Sequence, residues 1–231
     1  MYVKQLENQL IVSCQALEDE PLYSSEIMAK MALAAVQGGA KGIRANSVAD
    51  IKAIKNQVNV PIIGLIKQDY EDSDVYITPT KKEVKALLEV GADIIAMDAT
   101  MRKRPRGESL EDIMNFIKMQ SNTEIMADIS TVEEAKYAAA LGFDCVSTTL
   151  VGYTPETKGQ HIAANHFQLL HEIRSAVSIP VIAEGKISTP ETALKALEHG
   201  AFFVVVGSAI TRPQLITRSF ADIIQKYSSS H

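Results

Sequence analysis

Four helix-stopping glycines punctuate this chain at nearly even intervals. Gly39-Ala40, Gly91-Ala92, Gly142-Phe143 and Gly200-Ala201 lie 52, 51 and 58 residues apart. Each closes a stretch of helical apolar spacing and opens a short apolar run, while Val60-Pro61 and Ile179-Pro180 introduce further runs between them. Glycine suits these junctions because it ends a helix in a left-handed turn without a Cβ penalty. Two β/α units per interval, four times over, predict eight strands, each followed by a helix, closing into a single-domain (β/α)8 barrel over residues 1–227. The length of 231 residues suits one such barrel. A doubly wound open sheet is the competitor, but it would want a GxGxxG turn after the first strand, and none is present.

The predicted strands are 9–15, 42–46, 61–67, 93–98, 124–128, 144–148, 180–183 and 202–206. Helices are predicted over 24–37, 47–58, 80–90, 108–119, 131–141, 163–176 and 213–227, with one more between the last two strands and a frayed tail at 228–231. Strand side chains alternate between barrel interior and helix layer, so the strand-end residue at the mouth shares its face with residues two and four back. Ile63 and Leu65 then go with Lys67, Ile182 with Glu184, Met126 with Asp128, Ile94 and Ala96 with Asp98, and Ile11 and Ser13 with Gln15. Seven strands thereby end, in order, in Gln15, Arg44, Lys67, Asp98, Asp128, Thr148 and Glu184, and the eighth in Gly207-Ser208. A ring of polar residues at the carboxyl ends of barrel strands is where such folds keep their chemistry.

Composition narrows the partners. The net charge is −5, with no basic face or aromatic–basic pattern for nucleic acid. No apolar run approaches the roughly 18 residues of a membrane span, and the N-terminal residues lack the charged-then-apolar order of a signal peptide. A cytoplasmic protein is therefore expected, with Cys14 and Cys145 as two buried reduced thiols. The short basic cluster Met101–Arg106 follows a strand and is expected over an anionic small molecule or in solvent.

Lys67 and Glu184 are the candidate proton-transfer pair. A lysine at a barrel mouth can lose its charge when desolvated beside another cation, and Arg44 on the neighbouring strand supplies one. The alternatives for the same two residues are a plain ion pair, an anion-binding charge and a sugar-hydroxyl acceptor. Gly185, Gly207 and Ser208, at the ends of strands seven and eight, form the phosphate candidate, because glycine lets backbone N–H groups approach oxygen and a helix start favours anions. Arg212, four residues beyond Ser208, can fold back onto the same anion. No metal is expected. Asp98 and Asp128 lack histidine partners, His161, His166 and His171 scatter around a helix, His199 lies away from the mouth, and there is no HExxH or CxxC spacing.

At these strand ends the chain resembles the N-acetylmannosamine-6-phosphate 2-epimerase family. The matching blocks are Ser13–Leu17 (SCQAL), Gly42–Asn46 (GIRAN), Lys67–Tyr70 (KQDY), Tyr76–Pro79 (YITP), Asp98–Thr100 (DAT), Met126–Ser130 (MADIS), Gly152–Thr154 (GYT), Ala183–Gly185 (AEG) and Gly207–Pro213 (GSAITRP). Ser147 and Lys186 depart from the family's pattern, where Gly and Arg are expected. The resemblance implies interconversion of N-acetyl-D-mannosamine 6-phosphate and N-acetyl-D-glucosamine 6-phosphate by proton removal and return at C2 of the ring-opened sugar, with no cofactor. It implies Lys67 as the C2 acid/base and Glu184 as the group assisting ring opening or proton return. Gln15, Arg44, Asp128 and Tyr153 would hold the sugar and its N-acetyl group. Arg212 and the amides of Gly185, Gly207 and Ser208 would hold the 6-phosphate, and a homodimer is expected. Competing readings are a metal-dependent pentose-phosphate epimerase, a Schiff-base aldolase using Lys67, and a non-catalytic phosphosugar sensor or RNA-binding regulator on the same barrel.

Overall fold

The computed structural model describes residues 1–229. Eight parallel strands close on themselves in sequence order: β1 (Leu10–Cys14), β2 (Gly42–Asn46), β3 (Ile62–Leu65), β4 (Ile94–Asp98), β5 (Glu124–Asp128), β6 (Cys145–Ser147), β7 (Val181–Glu184) and β8 (Val204–Val206). The ladder between β8 and β1 completes the (β/α)8 barrel. Alternating helices surround it: α1 (Tyr2–Gln5), α2 (Ser25–Gln37), α3 (Val48–Lys55), α4 (Lys81–Val90), α5 (Leu110–Gln120), α6 (Val132–Leu141), α7 (Gln168–Ala176), α8 (Pro190–Glu198), α9 (Ser208–Thr211) and α10 (Pro213–Ser229). No helix among the described residues is long and apolar enough to cross a membrane.

Local signals explain where the helices begin and end. Ser24, Ser47, Thr80, Ser109, Thr131 and Thr189 each accept a backbone N–H in the first turn of the helix that follows. At Thr80, Ser109 and Thr131 an acidic residue three positions on returns the bond, which completes a capping box. Gly91 and Gly142 stop α4 and α6 at φ of 73° and 85°, the left-handed conformation that glycine adopts without strain.

Two apolar layers result from the strand alternation. Ile11, Ile63, Leu65, Ile94, Ala96, Met126, Cys145, Ile182, Phe203 and Val205 fill the barrel interior. Val12, Cys14, Ile43, Ala45, Ile62, Ile95 and Met97 face the helices. Both cysteines are free and buried. Sequence periodicity gave no sign of α1, a helix of four residues. Its Val3 and Leu6 pack into the interior cluster, and Glu124 at the start of β5 accepts the backbone N–H groups of Tyr2 and Val3. Together they close the end of the barrel opposite the mouth.

Three sequence expectations change. The helix expected from 163 begins only at Gln168, because Asn165, His166 and Phe167 all take positive φ and hold the preceding segment in turns. His161 and His166 therefore lie off the helix. The last helix runs on through Ser229, so Ser228 and Ser229 belong to it, and the rest of the expected tail lies outside the described residues. The basic cluster is a brace. Arg102 pairs with Asp98 (2.5 Å) and donates to the Asp74 carbonyl, Arg104 donates to the Pro79 and Asp98 carbonyls, and Arg106 lies over the Tyr70 ring. These cations tie the end of β4 to the loop after β3.

Gly64, on the outer face of β3, lets α3 and α4 approach the sheet. A Cβ there would stand 2.8 Å from Ala92 Cβ and 2.9 Å from Ile51 Cδ1. Gly64→Ala is expected to lower unfolding stability by about 1–3 kcal/mol, the usual cost of overpacking, measured by urea denaturation.

Candidate active site

The mouth of the barrel is organised by a buried arginine. Arg44, on β2, is 1% exposed and its guanidinium reaches across the interior to the two strands flanking β6. Nη1 and Nη2 hold both oxygens of Asp128 on β5 at 3.0 and 2.6 Å, and Nη1 also reaches Glu184 Oε2 on β7 at 2.9 Å. Burial works against the charged guanidinium, but the Asp128 and Glu184 carboxylates more than offset it, so Arg44 stays protonated. A two-point fork onto a carboxylate is a strong, orienting form of this contact.

Glu184 takes its remaining contacts on the same oxygen. Ser147 Oγ lies 3.3 Å and Thr149 Oγ1 3.1 Å from Oε2, whereas Oε1 accepts no hydrogen bond among the described residues. Burial pushes its carboxyl up to about 7; Arg44 pulls it down and the Asp128 charge pushes it up. Lys67 lies just beyond β3, its backbone N–H fixed by Asn46 Oδ1 at 2.8 Å. Burial, then the charges of Arg44 and Arg212, press its ammonium down to about 8 against the opposing pull of Glu184 and Glu20. In a closed barrel of eight, β3 and β7 stand on opposite walls. An amine and a carboxyl, both titrating near neutrality, thus face each other across the mouth.

The ends of β7 and β8 form a second corner. Gly185 and Lys186 both have positive φ, at 97° and 57°, which turns the chain sharply as it leaves β7. Gly207 caps α9, and the N–H groups of Ser208 and Ala209 in its first turn donate to no acceptor among the described residues. Arg212 is drawn to this corner by an ion pair with Glu20 (2.7 Å) and by its Nη1 donating to Ser208 Oγ at 3.2 Å. Gln15 completes the near wall. It is buried and donates to Ser13 Oγ at 2.8 Å, while its Oε1 is buried with no partner, an acceptor lacking its donor.

The chain has close relatives. The model of the family described as "Putative N-acetylmannosamine-6-phosphate epimerase" matches residues 28–226. The chain belongs to the N-acetylmannosamine-6-phosphate epimerase family. A relative with the corresponding 2-epimerase description from Listeria monocytogenes serotype 4b (strain CLIP80459) is 54% identical over 225 residues, covering 97% of each chain. One from Oceanobacillus iheyensis is 57% identical over 217 residues, covering 94% of this chain and 98% of that one. The solved structure of the N-acetylmannosamine-6-phosphate 2-epimerase from Clostridium perfringens superposes with a TM-score of 0.93 at 54% identity, covering 96% of both chains.

Within this family frame, the sequence-predicted residues fall into three groups. Lys67, Glu184, Arg44, Asp128 and Gln15 converge at the mouth, and Gly185, Gly207, Ser208 and Arg212 share the adjacent corner. Tyr153 is set apart: it is exposed in the loop after β6, held there by its backbone N–H donating to the Leu150 carbonyl, and its ring lies under the Lys186 ammonium at 5.2 Å. Arg44 and Asp128, expected as sugar-holding groups, are committed first to each other. The sixth strand end is corrected by parity. Cys145 faces inward and Ser147 follows it by strand alternation; beyond the strand, in the 3-10 turn Thr148–Leu150, Thr149 reaches Asp128 and Glu184, whereas Thr148 Oγ1 donates to the Glu184 carbonyl at 2.7 Å. Ser147, where the family's pattern has Gly, touches Glu184. Tyr76 was also missed. Its ring packs against the interior, and burial with the Asp128 and Asp98 charges pushes its phenol up to about 12. The Lys67–Ile77 bridge that brings Tyr76 back over the barrel is a long-range pairing that strand periodicity does not reveal. Among the described residues no three His, Cys, Asp or Glu side chains gather as a metal cluster.

Removing Arg44 would leave two buried carboxylates without their counter-ion. Arg44→Ala is expected to cost about 3–5 kcal/mol of stability. Urea unfolding at pH 8 measures it, and a loss below about 1 kcal/mol would show that the clamp contributes little.

Proposed function

We propose that the protein interconverts N-acetyl-D-mannosamine 6-phosphate and N-acetyl-D-glucosamine 6-phosphate at this mouth, by proton transfer at C2 of the open-chain sugar. The observation that carries the reading is the opposed Lys67–Glu184 pair, with the lysine lowered to about 8 and the carboxyl raised to about 7. In the open sugar the C2 proton is α to the C1 aldehyde. Lys67 in its neutral form takes that proton, and the electron pair moves into the C1–C2 bond and onto O1. Return of a proton to the opposite face of C2 gives the epimer. Glu184 supplies the proton that ring opening or reprotonation requires. Fixed donors near the developing enolate oxygen lower the barrier, since preorganised electrostatics is usually a large catalytic contribution.

The rest of the site suits the substrate. Gln15 Oε1 is an acceptor for a sugar hydroxyl or the N-acetyl N–H, and Tyr153 is placed by its loop to close over the sugar. The amides of Gly185 and Gly207-Ser208, with Arg212, offer donors and positive charge to the 6-phosphate. No step calls for a redox cofactor or a metal, and a phosphorylated sugar as substrate supports reading the protein as cytoplasmic.

Incubation with N-acetylmannosamine 6-phosphate in D2O, followed by NMR, tests the reading. Deuterium at C2 with appearance of N-acetylglucosamine 6-phosphate is expected; folded protein giving neither sinks it and leaves a non-catalytic phosphosugar sensor. Lys67→Met should lower turnover by at least about a hundredfold, the scale of general acid–base catalysis. The pH profile of turnover should be a bell with limbs near 7 and 8. Below the lower limb both groups hold protons and no base remains; above the upper limb neither does and no acid remains. The limbs describe the pair as a unit.

We further read the protein as a homodimer formed through α10. This helix follows β8 but packs chiefly on α9, and it leaves Phe220 68%, Ile223 70% and Ile224 64% exposed on one face. A second copy offers the same stripe in return, as a twofold contact requires. Light scattering after size exclusion should give a dimer for the parent and a monomer for Phe220→Glu/Ile224→Glu; a parent that elutes as a monomer refutes the pairing.

A further inference from the structure

Resting on the acid role read for Glu184, the geometry points to Thr149 as a positioning residue that keeps the Glu184 carboxyl in its protonated, proton-donating form. Four oxygen–oxygen contacts join Ser147, Thr149, Asp128 and Glu184. Thr149 Oγ1 lies 2.7 Å from Asp128 Oδ1, 2.8 Å from Ser147 Oγ and 3.1 Å from Glu184 Oε2, and Ser147 Oγ lies 3.3 Å from Glu184 Oε2. A hydroxyl has one proton to donate, and an ionised carboxylate has none. With both carboxylates ionised, two protons serve four contacts, so two contacts must be unbonded. Adding one proton to a carboxylate makes a third contact a hydrogen bond.

The distances say where each proton goes. Thr149 gives its own to Asp128, the shortest of its three contacts. It then meets Glu184 as an acceptor only, and the 3.1 Å contact becomes a bond when Glu184 Oε2 carries the proton. Asp128 is the poorer place for that proton, because Arg44 grips both of its oxygens, at 3.0 and 2.6 Å, whereas Glu184 receives Arg44 on one oxygen alone. The result is a directed chain, Glu184 O–H to Thr149 O–H to Asp128, anchored on Arg44. Ser147 acts in the opposite sense. Its hydroxyl donates to Thr149 Oγ1 at 2.8 Å while Glu184 is protonated, and is the neighbour able to turn to Glu184 Oε2, at 3.3 Å, when that carboxyl ionises. The other charged groups facing Glu184 are Arg44 from β2, Asp128 from β5 and Lys67 from the end of β3, and substitutions at 147 and 149 leave all three in place.

Two substitutions therefore move Glu184 in opposite directions. Thr149→Val removes the acceptor for the carboxyl proton and frees Ser147 to donate to the ionised form, so the titration midpoint of Glu184 should fall by about one pH unit, the scale of a single hydrogen bond to a charged group. Ser147→Ala removes the donor to the ionised form, and the midpoint should rise. Thr149→Ser, which keeps the hydroxyl, should restore the parent midpoint and shows whether any change comes from the oxygen or from folding. The readout is the carboxylic C=O band of Glu184 in the free protein, isolated by ¹³C-glutamate labelling and infrared subtraction of the Glu184→Gln variant. A Thr149→Val midpoint that rises or stays put overturns the inference, as does a Ser147→Ala midpoint that falls or stays put. Because the band is read without substrate, this result stands apart from the D2O experiment, which alone decides the epimerase reading.

Discussion

The buried guanidinium of Arg44 is the interaction on which the mouth depends. A carboxylate removed from water is unfavourable unless paired, and this barrel places two of them, from β5 and β7, within reach of one cation. Their positions explain each other. Asp128 takes the two-point fork and becomes the fixed charge of the site, and Glu184 takes the single remaining contact. That asymmetry leaves Glu184 with one oxygen, Oε2, gathering all of its side-chain contacts among the described residues. A symmetric arrangement would have given two equivalent carboxylates and no defined proton donor.

The same cation acts at a distance on Lys67. Burial and the positive charges of Arg44 and Arg212 bring the amine toward neutrality, while the Asp128 charge and burial bring Glu184 up to meet it. The corner at the ends of β7 and β8 and the Lys67–Glu184 pair are electrostatically continuous, since Arg212 belongs to one and perturbs the other. An anion bound beside Arg212 would offset that cation's push on Lys67 and strengthen the amine as a base when substrate is present.

Much of this was legible without coordinates, for reasons tied to particular residues. Period-two alternation fixed which side chains fill the barrel, because one residue of slippage would have exposed a whole strand. It therefore placed Ile63, Leu65, Met126 and Ile182 inside, and Lys67, Asp128 and Glu184 at the rim. The errors lie where alternation has no hold. Strand β6 is three residues long, too short to fix its own parity, and Thr148 was assigned the inward place that Ser147 and Thr149 share. Tyr76 reaches the site through a hairpin-like bridge in a long polar loop, and the basic cluster after β4, expected over an anionic small molecule or in solvent, has Arg102 and Arg104 on backbone carbonyls and Asp98 and Arg106 over the Tyr70 ring.

The sequence by itself determined the eightfold β/α rhythm, the helix boundaries set by serine and threonine caps and glycine stops, and the residues at the strand ends, because all of these follow from short-range sterics and periodicity. Only the tertiary structure decided what the residues do to one another. Closing the sheet put β3 opposite β7, carried Arg44 across to Asp128 and Glu184, and brought two hydroxyls from beyond β6 against a carboxyl on β7. Charge and proton positions depend on separations of a few ångströms between residues that stand up to 192 positions apart in the chain, and no local pattern encodes those separations.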